Sequence, residues 1–215
     1  MALPLHFWHL LTRLGEMQIL LPAALLTCLP LLREPSAKAF VARWWLAVGL
    51  AAVLTTATKL AFIGWGLGIS ALNFTGISGH AMFAAAVYPV MAALLASRLA
   101  PALQRLAFVA GVALALGIGI SRIEVGAHSM AEVIAGLVLG GWVTLAAVVR
   151  SQVPRDATRP SIQLLVIAWM VLMPLHTPQS RSHYFVTRLS LLLSGHDMPH
   201  TRAELLRNAN KPRRD

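Results

Sequence analysis

The side chains best suited to chemistry are crowded into one polar stretch, Ser121 to Glu132. It separates two uncharged apolar runs, Leu106 to Ile120 and Val133 to Val149, which are typical of membrane helices. Ionisable side chains at the junction of two such helices usually serve a function, because charge is costly to hold beside the hydrocarbon. This stretch is therefore the candidate site.

Within it, His128 and Glu132 are four residues apart. If the second helix begins near Ala127, the two side chains share one face and the carboxylate can hold one imidazole nitrogen. A histidine held in this way has a fixed tautomer and a more nucleophilic second nitrogen. Arg122, a short loop earlier, could bind an anionic substrate. The alternative for the stretch taken alone is a set of interfacial residues that simply meet water.

The composition is that of an integral membrane protein. Hydrophobic residues make up 57% of the 215 residues and charged residues 12%, and the mean hydropathy is +0.69. Soluble proteins have about a quarter of their residues charged, so a soluble enzyme is excluded. The net charge of +10 is spread between the apolar runs and the tail. Nucleic acid is therefore not an expected partner, whereas membrane lipids and anionic phosphate substrates are.

Six apolar runs predict an all-α, polytopic transmembrane helical bundle with about six spans. The runs cover residues 17–32, 44–62, 81–97, 106–120, 133–149 and 161–175. We expect three parts: an interfacial N-terminal helix over residues 1–15, a transmembrane domain over 16–175 and a basic C-terminal tail over 176–215.

The basic residues set the expected orientation. If the spans alternate, the loops 33–43, 98–105 and 150–159 share one side and carry nearly all the loop Arg and Lys, which predicts that this side is cytoplasmic. Residues 59–80 and 121–132 then face the periplasmic side of a bacterial-type inner membrane. Six spans place the tail on that side too, and a re-entrant sixth segment with a cytoplasmic tail is the alternative.

Glycines mark two further features. They punctuate residues 59–78, for which we predict a loop with little helix of its own, and we assign them to backbone flexibility or close packing. No strand precedes them, as a dinucleotide-binding fingerprint would require. Gly136 and Gly140 in the fifth run have small-xxx-small spacing, which favours helix packing within the chain over a dimer face.

The two polar stretches together predict a phosphate site. Lys59 and Arg122 supply positive charge, and Ser78 supplies a hydroxyl donor. Gly79 supplies a backbone amide at a helix N-terminus, where the macrodipole favours anions.

Two histidines supply the reacting groups. With His128 as nucleophile, a phosphoryl group passes to its ring nitrogen, while His80 protonates the leaving oxygen and then activates water. A different chemistry is also open, because His80, His128 and Glu132 could hold zinc with one open position. Lys59 and Arg122 would repel such a cation.

The order of these motifs resembles that of a known family. Ser78-Gly79-His80 is followed by Ser121-Arg122, five residues, His128, three residues and Glu132. This is similar to two signatures of the type-2 phosphatidic acid phosphatase family, which is related to the vanadium haloperoxidases. The resemblance implies a helical membrane phosphatase that acts on lipid phosphates or diphosphates through a phosphohistidine, with no metal and no cofactor.

The resemblance also implies a role for each residue by its position, within a motif-bearing core over residues 59–149. His128 would be the nucleophile, His80 the acid and base, and Glu132 the residue that orients His128. The implied phosphate ligands are Lys59, Ser78, Gly79 and Arg122.

The chain departs from the family pattern at three places. Gly66 and Leu67 stand where the family has Arg-Pro after its lysine, so one phosphate-binding arginine is absent. Ile77 replaces the proline before Ser-Gly-His, and Glu132 replaces an aspartate. The alternative function is therefore a non-catalytic lipid-phosphate binding or transport protein of the same fold.

A second Ser-Gly-His, at residues 194–196, lies in the polar tail with no span after it. Because Ser, Gly and His are ordinary turn residues, we interpret this copy as a turn or a chance match. The role of the tail, the oligomeric state and the particular lipid stay open.

Overall fold

Nine helices make up the described part of the chain, which covers residues 4–149, 159–178, 180 and 182–209 of a computed structural model. They are α1 (Leu5–Arg13), α2 (Met17–Cys28), α3 (Pro35–Trp65), α4 (Gly79–Leu95), α5 (Pro101–Glu124), α6 (Met130–Val149), α7 (Pro160–His176), α8 (Ser182–Ser194) and α9 (Arg202–Ala209). Short 3₁₀ segments follow α2 (Leu29–Arg33) and α3 (Ser70–Leu72). Within these residues the one β feature is an isolated bridge between Ile69 and Phe74. The predicted all-α class is confirmed.

Helix α4 is the centre of the bundle and packs against α2, α3, α5 and α6. Most of its side chains are buried and many are alanine, so the neighbouring helices approach it closely on every side. A helix that is apolar all round belongs in an interior. Trp44 of α3 donates its indole N–H to the Ala86 carbonyl of α4 at 3.0 Å. Since Ser78 and His80 lie at the start of α4, its position fixes one half of the candidate site.

Two glycines let α6 touch the backbone of α4. A Cβ built on Gly136 would lie 2.6 Å from the Ser78 carbonyl oxygen, and one built on Gly140 would collide with the Met82 carbonyl oxygen. The small-xxx-small pair therefore serves packing within the chain, because only a residue without a side chain fits at this contact.

Pro89 inside α4 creates an orphan acceptor that α6 satisfies. Proline has no N–H, so the Ala85 carbonyl four residues earlier loses its helical donor. Thr144 of α6 donates its hydroxyl to that carbonyl at 2.6 Å. An unpaired carbonyl is costly in an apolar interior, so this bond also ties α6 to α4.

The predicted number of spans is only partly supported. Within the described residues, three helices are long and apolar enough to cross a membrane: Ala37–Trp65, Pro101–Glu124 and Met130–Val148. A fourth is added if α1 and Met17–Arg33, which meet at a 45° bend, count as one span. The six predicted runs all fall on helices, but α4 and α7 have only 17 residues each, fewer than the roughly 20 that a span needs. Six spans are therefore not confirmed.

Apolar side chains cover the outer faces of the long helices. Leu50 of α3, Val109 of α5 and Val138 of α6 are 62%, 59% and 54% exposed. Soluble monomers rarely display large continuous apolar surfaces of this kind. The exposed faces therefore form a lipid-facing belt, in agreement with a membrane protein.

Helix α3 is longer than predicted. It continues to Trp65, so Lys59 lies in a helix and the loop is confined to residues 66–78. Helix α8 packs along the end of α3, and Ser190 donates its hydroxyl to the Leu60 carbonyl at 2.9 Å. Tertiary contact thus supports a helix where the glycines alone favour a loop.

The C-terminal tail folds at the same end of the bundle as the loop 66–78. The His200 N–H donates to the Ile63 carbonyl at 2.9 Å, which fixes the segment between α8 and α9 against the end of α3. The tail therefore lies on the side of the candidate site. Residues 150–158, which include most of the third basic loop, and the predicted frayed end from Lys211 to Asp215 lie outside the described residues.

The close approach of α6 to α4 yields a stability prediction. Gly140→Ala should lower the free energy of unfolding by about 1–3 kcal/mol, because its methyl group meets rigid backbone. Thermal melting of the detergent-purified protein measures the effect. Gly141→Ala is the matched control, since a Cβ there meets nothing within 4 Å and alanine favours a helix. Equal melting temperatures for the two variants would contradict the packing argument.

Candidate active site

A cavity of about 1240 Å³ opens where α3 and α5 end and α4 and α6 begin. Five of the seven residues predicted for the site line this cavity: Lys59, Gly79, His80, Arg122 and His128. The other two, Ser78 and Glu132, have no exposed surface. The fold thus brings together two polar stretches that are about forty residues apart in the sequence.

His128 and Glu132 form a direct pair. The His128 Nδ1 lies 2.7 Å from Glu132 Oε2, and because a carboxylate only accepts, Nδ1 carries the proton. Helix α6 begins at Met130, later than Ala127, so His128 lies in the preceding loop. Ser129 preserves the geometry: its N–H donates to Glu132 Oε2 at 3.1 Å, and its hydroxyl accepts from the Glu132 N–H at 3.4 Å, as in a capping box.

The other oxygen of Glu132 is held from outside the helix. The Thr75 N–H and hydroxyl both donate to Glu132 Oε1 at 2.6 Å. Nη2 of Arg202 in α9 lies 2.9 Å from Oε1 and 2.8 Å from Oε2. A buried carboxylate needs such donors, because an isolated buried charge is strongly unfavourable. Held by these donors, the Glu132 side chain reaches the imidazole of His128 from a position where the family pattern has an aspartate.

The electrostatics of His128 favour its neutral form. Burial lowers the pKa of His128, the bond to Glu132 opposes that shift, and the positive charges of Lys59 and Arg122 reinforce it. With Nδ1 donating to Glu132, Nε2 is the nitrogen that carries the free lone pair of the neutral ring. Within the described residues this nitrogen has no protein partner. The neutral ring of His128 therefore has an available lone pair on Nε2 at neutral pH.

The start of α4 offers donors to an anion. Ser78 is the N-cap, and its N–H donates to the Glu132 backbone carbonyl at 3.1 Å. Its buried hydroxyl has no partner among the described residues. A Cβ built on Gly79 would lie 3.9 Å from Lys59 Nζ, so an ammonium group stands beside the first amides of the helix. The macrodipole adds to that positive field.

Arg122 lies in the last turn of α5 and is held by the N-terminal helix. Its Nη1 donates to the Thr12 hydroxyl of α1 at 2.7 Å, whereas its buried Nε has no partner in the described part of the chain. Helix α1 also packs on α5 and contributes to the cavity wall. The predicted interfacial helix is therefore also part of the site.

Comparison with known proteins identifies the family of the chain. The family model of the PAP2 superfamily matches residues 65–156. An uncharacterized 22.5 kDa protein in the cps region of Klebsiella pneumoniae is 33% identical over 206 residues, which cover 94% of this chain and 99% of that protein. The chain belongs to the PAP2 superfamily. No solved structure gives a significant match.

Membership of the PAP2 superfamily confirms the recognised family, that of the type-2 phosphatidic acid phosphatases. Members of this superfamily are generally phosphatases that act on phosphate esters. The K. pneumoniae relative carries no described activity, so it does not narrow the substrate.

The structure explains why position 66 is a glycine where the family pattern has an arginine. Gly66 ends α3 in the left-handed region with φ +70°, and its N–H donates to the Phe62 carbonyl at 2.8 Å. A Cβ at Gly66 would lie 3.2 Å from His200 Nδ1. The C-terminal tail thus packs where the family pattern has Arg-Pro, and close packing explains this glycine.

The tail copy of Ser-Gly-His, residues 194–196, forms a turn. Gly195 has φ +70° just after α8, and His196 Nδ1 donates to the Gly64 carbonyl at 2.6 Å. Its interpretation as a turn therefore agrees with the structure, and the turn docks the tail onto α3.

Sequence reasoning missed Arg202, Thr75 and Thr12 as parts of the site. Arg202 lies beyond the matched family region, and its contact with Glu132 spans 70 residues. One signal was available, because Thr201 and Glu204 have capping-box spacing and predict the start of α9. In the structure the Thr201 N–H donates to Glu204 Oε2 at 2.9 Å.

The buried position of His128 leads to a titration prediction. Because its pKa is lowered, His128 should protonate with a midpoint below the ordinary value of about 6.5. Nuclear magnetic resonance of histidine-labelled protein in detergent measures the midpoint, and His128→Gln assigns the signal. A midpoint at or above 6.5 would mean that the Glu132 bond outweighs burial.

Proposed function

We propose that this protein is an integral-membrane phosphatase that hydrolyses lipid phosphates or diphosphates through a phosphohistidine intermediate. The observation that carries the proposal is the His128–Glu132 pair at a cavity that Lys59 and Arg122 also line. A neutral imidazole beside fixed positive charge suits attack on a phosphate group.

In the first step, Nε2 of His128 attacks phosphorus, and the bond from phosphorus to the leaving oxygen breaks. His80 donates a proton to that oxygen. Burial and the nearby charges of Arg122 and Lys59 lower the pKa of His80 in the free site, so this step requires the negative charge of the bound phosphate to favour the protonated ring. The positive charge on the phosphorylated ring is balanced by Glu132, which retains its bond to Nδ1. Lys59, Arg122 and the Gly79 amide stabilise the charge on the transferring phosphoryl oxygens.

In the second step, water attacks the phosphohistidine and the P–N bond breaks. His80, now neutral, takes a proton from that water, and inorganic phosphate leaves the cavity. The Ser78 hydroxyl, which is buried without a partner among the described residues, is a further donor within the same helix start. This cycle requires no metal, and Glu132 already accepts from His128, Ser129, Thr75 and Arg202.

The surroundings of the cavity support a lipid substrate. The helices that carry the site expose broad apolar faces, and the cavity opens at one end of that belt. A substrate with a chain in the bilayer can present its phosphate there. Undecaprenyl diphosphate, phosphatidate, phosphatidylglycerophosphate and lipid A phosphates all have the required chemistry.

The same belt supports the proposed location in a bacterial-type inner membrane with the site facing the periplasm. Arg33, Arg98 and Arg159 flank helix ends at the end of the bundle opposite the cavity. Positive residues at helix ends favour the cytoplasmic side. The tail at the cavity end is also basic, but the charge rule applies mainly to short loops.

A second candidate function rests on one observation, the glycine at position 66. Without the family arginine the protein could bind lipid phosphates without hydrolysing them. That alternative predicts headgroup binding that persists in His128→Ala and no phosphate release by the wild type.

The test is phosphate release from a panel of these lipids by the detergent-purified protein, with and without a chelator. His128→Ala should lower the rate by about 1000-fold or more, because it removes the nucleophile. Arg122→Ala should lower it by about 10- to 100-fold, since a charge-assisted contact is worth about 1.5–3 kcal/mol. Arg105→Ala, an exposed arginine at the other end of α5, is the matched control and should match the wild type.

The outcomes separate the alternatives. Release that persists with the chelator and is lost in His128→Ala supports the phosphohistidine mechanism. Release that the chelator abolishes would instead indicate a metal-dependent reaction, for which the described residues offer no group of three or more metal-ligating side chains. No release from any lipid, with headgroup binding retained, would indicate a binding protein.

A further inference from the structure

We propose that Arg202 of α9 is a positioning residue for the catalytic pair, and that it holds Glu132 in place against His128 while balancing part of the carboxylate charge. This inference rests on the proposed function. It assigns a role to a residue outside the region that the family model matches, which ends at residue 156.

The contacts of Arg202 are numerous for a residue so near the end of the chain. Nη1 donates to the backbone carbonyl and the side-chain oxygen of Asn73, both at 2.9 Å. Nη2 donates to the Thr75 hydroxyl at 3.1 Å and to both oxygens of Glu132. One guanidinium therefore fixes the loop 66–78 and the carboxylate together.

Arg202 is not simply a replacement for the absent family arginine. Its two terminal nitrogens carry four N–H bonds, and the protein acceptors on Asn73, Thr75 and Glu132 already engage them. A phosphate would have to displace these acceptors, one of which is the carboxylate that His128 needs. The contacts suit a residue that acts through Glu132.

The electrostatic effect follows from the charges around His128. Burial and the charges of Lys59 of α3 and Arg122 of α5 oppose protonation of His128, whereas Glu132 of α6 favours it. His80 of α4 also faces this group, and its own pKa is lowered by burial and by the same charges. Arg202 competes with His128 for the same oxygen, Oε2. The guanidinium thus weakens the pull of Glu132 on the His128 proton and helps to keep the imidazole neutral.

Helix α9 is anchored well enough to hold Arg202 in place. Its first turn is capped by Thr201 and Glu204, and the preceding His200 donates its N–H to α3. Leu205 packs at Gly68, where a built Cβ would lie 2.9 Å from its Cδ2. The guanidinium is therefore delivered by a docked helix.

The test is the titration of His128 in full-length, histidine-labelled protein in detergent, together with the pH dependence of phosphate release. Arg202→Gln removes the charge, and Arg202→Lys keeps the charge but loses the planar fork. Arg207→Ala is the matched control, since Arg207 is exposed on the same helix and bonds only to the Ala203 carbonyl among the described residues. Thermal melting checks that each variant is folded.

In Arg202→Gln, Thr75 and Ser129 still hold the Glu132 carboxylate, so the loss of positive charge decides the sign. The His128 midpoint should rise by about one pH unit, and the acid limb of kcat should move by the same amount. Arg202→Lys should give a smaller shift and a partial recovery of kcat, and Arg207→Ala should match the wild type. A residue that only supported the fold would lower the melting temperature without moving the midpoint.

A wild-type midpoint in folded Arg202→Gln overturns the inference. Should Arg202→Gln fail to fold, Arg202→Lys decides, because loss of the two-oxygen contact must still raise the midpoint. The proposed function fails separately, through absence of phosphate release by the wild type. In that case the titration still shows whether Arg202 controls His128.

Discussion

The buried carboxylate of Glu132 is the constraint on which the rest of the site depends. It has no exposed surface, so its charge must be met by donors inside the protein. Those donors come from His128, Ser129, Thr75 and Arg202, which lie on the loop before α6, the loop after α3 and helix α9. Its backbone carbonyl accepts the N–H of Ser78 as well. One residue thus joins the start of α4, the loop before α6, the loop after α3 and helix α9.

This junction is possible because α4 and α6 are held at backbone distance. Gly136 and Gly140 remove the side chains that would separate the two helices, and Thr144 closes the orphan carbonyl that Pro89 leaves in α4. Lipid provides no hydrophobic drive for helices to associate, so close packing and interhelical hydrogen bonds must supply it. The same contacts that assemble the bundle therefore bring the Ser78–His80 stretch beside His128.

Sequence patterns were informative where the signal is local. The apolar runs mark the helices, the spacing of His128 and Glu132 marks their contact, and the motif order marks the family. Features that depend on tertiary contact were harder to predict. The end of α3 is stabilised by α8, and six spans are not confirmed because α4 and α7 are short. Arg202 could not be linked to Glu132, because no local pattern encodes a contact across 70 residues.

The glycine at position 66 allows the C-terminal tail to pack against the end of α3. An arginine there would have to adopt φ +70°, which is strained for a residue with a side chain, and its Cβ would press against the ring of His200. Removing that side chain lets the segment from His196 to Arg202 lie across the end of α3. Position 66 therefore places no positive charge beside the cavity, whereas Arg202 of the docked tail bonds to the Glu132 carboxylate. The absence of an arginine at position 66 thus accompanies a cavity wall that the C-terminal tail helps to form.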